Sequence, residues 1–119
     1  MNKREFGGQL ETFACDRLKQ KGCRIVAVNF ECKLGEIDII AEDDTTLVFV
    51  EVRYRKQNKF GGAIESVDFK KQSKIIKTAQ FYLQQHQLTN KVACRFDVIA
   101  LEGDPQRLAF NWIKSAFTA

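Results

Sequence analysis

The stretch GEIDIIAEDDTTLVFVEVRYR, from Gly35 to Arg55, constrains this chain more than any other. EIDIIAE (36–42) and TLVFVEV (46–52) are β-branched, apolar runs separated by DDT, which reads as two strands joined by a hairpin. Each run nevertheless carries an acid at a position suited to the inside of a sheet, Asp38 in the first and Glu51 in the second. If Asp44-Thr45 is a two-residue turn, or 43–46 a four-residue loop, Glu42 stands opposite Leu47 and Asp38 opposite Glu51. A three-residue loop would instead send the two carboxylates to opposite faces.

Like charges directly opposite on one face repel, so the pairing needs a cation between them or a proton on one acid. Arg53, two residues after Glu51 and so on its face, is one internal source of positive charge. Arg55, Lys71 and Lys74 are others, depending on which can reach back. A hard divalent metal is the alternative, because Mg²⁺ commonly takes one or two carboxylates plus water and phosphate oxygens.

The remaining segments place further residues around that pair. RIVAVNF (24–30) reads as a strand preceding the hairpin, which makes an antiparallel meander of three. Leu10, Phe13, Ala14 and Leu18 recur at helical spacing from about Gln9 to Lys21, with Gly22 where the helix should end. On that helix Glu11 shares a stripe with Ala14, Cys15 and Leu18, at the edge of the face looking toward the sheet. A long amphipathic helix is expected from Ile64 to about His86, with Gln72 near the middle of its apolar stripe. CRFDVIAL (94–101) is a fourth strand, and LAFNWI (108–113) either a fifth or the start of a closing helix. The order αβββαβ is that of an α/β fold with a mixed sheet flanked by helices, and 119 residues suffice for one domain with a single core.

Other chemistries find less support. Cys15, Cys23, Cys32 and Cys94 lack paired C-x-x-C spacing, and His86 is the sole histidine, so reduced, mostly buried thiols are expected rather than zinc ligands. That histidine sits near a helix C-terminus, where it complements the dipole, and cannot anchor a nucleophilic triad. KFGGA lacks the G-K-[ST] ending of a phosphate-cradling loop. Asp97 is expected to be structural, paired with Arg95 or an arginine of a neighbouring strand. With no signal-peptide-like start and no run of about 18 apolar residues, a cytoplasmic chain is expected.

Charge is unevenly spread. Residues 53–91 hold nine Lys/Arg against two Asp/Glu, whereas residues 1–52 hold seven against ten. Such a block is a solvated face in most chains, and also the electrostatic footprint of a polyanion site. Tyr54, Arg55, Lys56 and Lys59 in the loop after the hairpin, with Lys70, Lys71, Lys74 and Lys77 on the following helix, are the candidates for gripping nucleic-acid phosphates.

G-E-I-D-x-I followed by F-V-E-V-R, with Glu11 on a preceding helix and Lys71-Gln72 on a following one, resembles the YraN-like family of small bacterial proteins. That family is similar to the PD-(D/E)XK restriction-endonuclease-like nucleases and, within them, to archaeal Holliday-junction resolvases. The resemblance runs from Gly8 to about Ile113 and is densest over 35–55. It implies a restriction-endonuclease-like fold in which Asp38 and Glu51 hold Mg²⁺ or Mn²⁺, Glu11 matches the first-helix glutamate, and Gln72 with Lys71 supports the site. Arg53 stands where the nucleases carry lysine. An arginine stays protonated and cannot act as a base, though it can hold a phosphate, so base work would pass to the metal. The function implied is nucleic-acid binding with metal-dependent phosphodiester hydrolysis, on structured DNA, and by analogy with the resolvases a homodimer. Arg53 favours the rival, a docking module on the same fold without catalysis. A third reading, a structural protein, would pair Asp38 with Arg53.

Overall fold

The structure is a computed structural model and describes residues 2–56 and 63–119. Helix α1 (Lys3–Gln20) leads into strands β1 (Arg24–Cys32), β2 (Gly35–Asp43) and β3 (Thr46–Arg55). A 3-10 turn (Ala63–Ser66) then precedes α2 (Phe69–Gln85), β4 (Cys94–Glu102) and β5 (Ala109–Phe117). The five strands form one sheet in the order β1-β2-β3-β4-β5, antiparallel except for the β3–β4 pair, which α2 connects as a crossover. This is an α/β fold with the expected mixed sheet. The segment 108–113 belongs to a strand rather than a closing helix, with Phe110 and Trp112 packed toward α1 and Ile113 toward α2.

The helices cover opposite faces. Ala14 and Leu18 of α1 are fully buried with Ile39, Val48, Val50, Ile99 and Leu101. Ile75, Ala79 and Tyr82 of α2 pack with Ile40, Phe49, Phe96 and Val98 on the other side. Along β3 the period of two therefore assigns Val48 and Val50 to α1, and Leu47, Phe49 and Glu51 to α2. Helix α2 starts later than its apolar stripe suggests, because the side chain of Asp68 caps it by accepting the Lys71 N–H at 2.8 Å. Val67 is buried in the turn before the cap. The amphipathic pattern thus runs through a non-helical turn, which spacing alone cannot detect.

A close approach to β2 fixes where α2 lies. Gly35 opens β2 at φ 155°, and a Cβ there would stand 2.9 Å from the Thr78 hydroxyl, so only glycine lets strand and helix approach this closely. The base of the sheet is locked by Asp97, fully buried on β4. Its carboxylate accepts from Arg95 Nε at 3.1 Å, Trp112 Nε1 at 2.7 Å and the Ser115 N–H at 2.9 Å. Ser115 has φ 52° at the register break between the Phe96–Phe117 and Val98–Ile113 pairs, so the buried acid holds a bulge in β5. The structural role and the arginine partner expected for Asp97 are both observed. All four cysteines are free, Cys15 and Cys23 buried, but Cys32 half-buried and Cys94 exposed, a more open set than expected. His86 caps the C-terminus of α2 with its ring 4.2 Å from that of Tyr82. No helix among the described residues is long and apolar enough to cross a membrane.

Candidate active site

The hairpin turn decides the geometry. Asp44 takes φ 59° in a two-residue turn closed by the Asp43–Thr46 pair, and the ladder continues through Glu42–Leu47 to Ile39–Val50. One further step would set Asp38 opposite Glu51, and there the ladder ends. In place of a backbone acceptor on β2, the Asp38 Oδ2 takes the N–H of Val52 at 2.8 Å. The carboxylate thus occupies the gap where the strands part.

A bend in β2 produces this placement. Residues two apart on a strand share a face, yet Ile37 packs in the α2 layer and Ile39 in the α1 layer. The chain therefore rotates at Asp38. On the other side of β2 the residue facing Asp38 is Asn29, between the Val28–Ile39 and Phe30–Ile37 pairs, at φ 53°. Asparagine tolerates that left-handed conformation better than the surrounding β-branched residues. Its side chain also hydrogen-bonds Glu11 of α1.

Glu51 is 5% exposed and hydrogen-bonded to Asp38. Burial first, and then the charge of Asp38, push its carboxyl up to about 8 from an ordinary 4.5, against the pull of Lys71 and Arg53. At neutral pH Glu51 therefore keeps its proton. The cations stand back: Lys71 Nζ is 3.8 Å and Arg53 NH1 4.0 Å from Glu51 Oε1. The guanidinium is held instead by Ser66, through Nε to the hydroxyl at 3.0 Å and NH2 to the carbonyl at 2.8 Å. The pair of Arg53 with Asp38 that a purely structural role would require is not among the ion pairs of the described residues. Beside it, Val52, Arg53, Tyr54, Arg55 and Ser66 line an open cleft of about 300 Å³.

The donor set suits a hard dication. Two carboxylate groups converge on one gap, and one of them keeps a proton only because its neighbour is negative and water is excluded, a state that a divalent ion reverses. Two protein carboxylates with water and phosphate oxygens are an ordinary Mg²⁺ shell. Among the described residues no cluster of three or more His, Cys, Asp or Glu side chains could hold an ion alone.

Residues 10–101, which include the whole of this arrangement, match the profile of the Uncharacterised protein family UPF0102. The chain belongs to the UPF0102 family. A UPF0102 protein of Pseudomonas syringae pv. syringae is 48% identical over 116 residues, spanning 97% of this chain and 94% of the relative. UPF0102 proteins of Vibrio parahaemolyticus and Nitrosococcus oceani are 44% and 42% identical over 117 and 114 residues, covering 98% and 96% of this chain and 95% and 92% of theirs. This is the YraN-like family that the G-E-I-D-x-I and F-V-E-V-R segments resemble.

Within this UPF0102 chain the other expected site residues divide. Glu11 is half-buried within electrostatic reach of Asp38, its carboxyl raised by burial first and further by the charges of Asp38 and Glu36, with Asn29 as its hydrogen-bond partner. Gln72 spends its amide on the Val67 carbonyl at 2.9 Å, holding the turn that anchors Arg53 rather than touching the acids. Tyr54 belongs to the opposite layer, with its hydroxyl donated to the Gly103 carbonyl at 2.7 Å and its ring edge-on to Phe6. Arg55, Lys56, Lys70 and Lys74 are exposed, Lys71 half so, and Lys59 lies outside the described residues. Asn29 and Ser66 were not anticipated. An asparagine inside the apolar run RIVAVNF was a readable signal of a left-handed residue; nothing in the sequence marks Ser66 as the seat of Arg53.

Proposed function

We propose that the protein binds nucleic acid and hydrolyses phosphodiester bonds at a divalent-metal site formed by Asp38 and Glu51, on structured DNA. The supporting observation is the pair of carboxyl groups in the gap between β2 and β3, where Glu51 stays protonated by burial and by the charge of Asp38 although Lys71 and Arg53 make long ion pairs with it at 3.8 and 4.0 Å. Asp38 and Glu51 would hold Mg²⁺ or Mn²⁺, which when bound supplies charge neutralisation at the phosphate and activation of water. Asp38 is oriented for this by the Val52 N–H. Arg53, held on the cleft wall by Ser66 through Nε and NH2, presents a permanent positive charge and its NH1 donors to a phosphate. Lys71 brings an amine to 3.8 Å from Glu51 and can hold developing negative charge beside it. Glu11 keeps the field at the pair negative from the other layer, and Gln72 braces the turn under Arg53. Arg55, Lys56, Lys70 and Lys74 give sequence-independent, salt-sensitive attraction.

The test is a cleavage panel of branched, single-stranded and duplex DNA with Mn²⁺. Asp38→Ala and Glu51→Ala are expected to abolish cleavage while leaving binding largely intact. Cleavage at the wild-type rate by both variants would remove the pair from the chemistry. Arg53 in place of lysine favours a second reading, a docking module for nucleic acid or protein that takes up no ion at the pair.

A further inference from the structure

Phe69, the first residue of α2, is 87% exposed. Single apolar side chains on a surface are ordinary, but this one is set rigidly at the rim of the site. The turn carrying it is tied at both ends. Asp68 accepts the Lys71 N–H on its side chain and the Gln72 N–H on its carbonyl, both at 2.8 Å. Gln72 holds Val67, and Arg53 holds Ser66. Val67 points inward and is buried, so the ring two residues on is directed into solvent. Lys70 and Lys74 are exposed on the same helix and Lys71 reaches Glu51 from the same turn, while the capping carboxylate of Asp68 offsets the partial positive charge of the helix N-terminus.

Resting on the nucleic-acid reading above, we propose that Phe69 is a stacking wedge that seats an unpaired base next to the Asp38–Glu51 pair, so that the substrate is a single strand or a branch point and not continuous duplex. An aromatic face stacks on any base, and the exposed Lys70 and Lys74 of the same helix offer positive charge to flanking phosphates, the combination from which sequence-tolerant single-strand sites are built. Apolar side chains likewise enter duplexes where the bases part. In continuous duplex every base face is already stacked, and opening one costs free energy that a branch or single strand has spent. A second copy of this chain is a poorer occupant. Stacking Phe69 on its symmetry mate would bring Lys70, Lys71 and Lys74 of both chains together.

Anisotropy titrations of labelled single-stranded, branched and continuous duplex DNA, in EDTA so that nothing is cut, test the assignment. The wild type should prefer the first two. Phe69→Ala should weaken both by about fivefold or more, with duplex affinity nearly unchanged, and should melt at the wild-type temperature because the ring is in water. Phe69→Trp should show indole quenching by single strand and not by duplex, once the signal of Trp112, the natural tryptophan, is subtracted. Equal effects of Phe69→Ala on all three DNAs, or none, overturn the wedge and leave the nucleic-acid reading standing. Failure of the wild type to bind any of the three overturns both. Loss of a dimer in the alanine variant, seen by sedimentation, assigns the ring to a second copy and overturns the wedge.

Discussion

Asp97 and Glu51 lie on adjacent parallel strands, on opposite faces of the sheet, 0% and 5% exposed. They have little else in common. Asp97 is surrounded by donors: an arginine, an indole N–H and a backbone N–H all converge on its two oxygens. Glu51 faces another acid, and the two cations nearest to it stand at 3.8 and 4.0 Å. A buried carboxylate that is fully satisfied is part of the framework, whereas one kept protonated by burial and by a like neighbour stores free energy that a ligand can release. The contrast separates an acid whose partners are all supplied by the fold from one whose charge the fold leaves uncompensated, without reference to any relative.

Removing each acid should therefore have opposite effects. Asp97→Ala strands the Trp112 and Ser115 donors and half of the Arg95 pairing, and is expected to cost about 3 to 5 kcal/mol of unfolding free energy, as for other broken buried pairs. Urea denaturation measures this, and a loss below about 1 kcal/mol would erase the distinction. Glu51→Gln should stabilise instead, since the amide can donate to Asp38 permanently. The sign follows from linkage. Glu51 titrates near 4.5 in the unfolded chain and at about 8 in the folded one, so between those values the folded state binds more protons. The contribution of Glu51 to metal-free stability is then fully present below about pH 4.5, declines through the window to about 8 and levels off above it. The variant should lack that decline and exceed the wild type at pH 8 by a few kcal/mol, the order of magnitude set by the shift. Parallel pH profiles for the two proteins would contradict it.

Much of the comparison was legible in the sequence. The register that brings Asp38 to Glu51 follows from a two-residue turn at Asp44-Thr45, because the alternation of side chains leaves only two choices of face. The pairing of Asp97 with Arg95 follows from their spacing of two on one strand. What the sequence hid is set by distant contacts. The rotation of β2 at Asp38 depends on a left-handed Asn29 one strand away, and the seat of Arg53 on Ser66 depends on a turn closed by the Asp68 cap and the Gln72 amide. Apolar periodicity carried the start of α2 past that cap for the same reason: a buried Val67 keeps the stripe going where the hydrogen bonds do not. The neighbours of Tyr54 in sequence point to the basic loop, yet strand alternation places it in the other layer.

Calorimetric titration with Mn²⁺ at pH 7, repeated in buffers of different ionisation enthalpy, tests the central claim most directly. A carboxyl raised to about 8 is mostly protonated at that pH, so binding at the Asp38–Glu51 pair should take up one ion and release close to one proton, and Glu51→Gln should lose both signals. Ion uptake without proton release, or uptake unchanged in Glu51→Gln, would show that the pair is not the metal site.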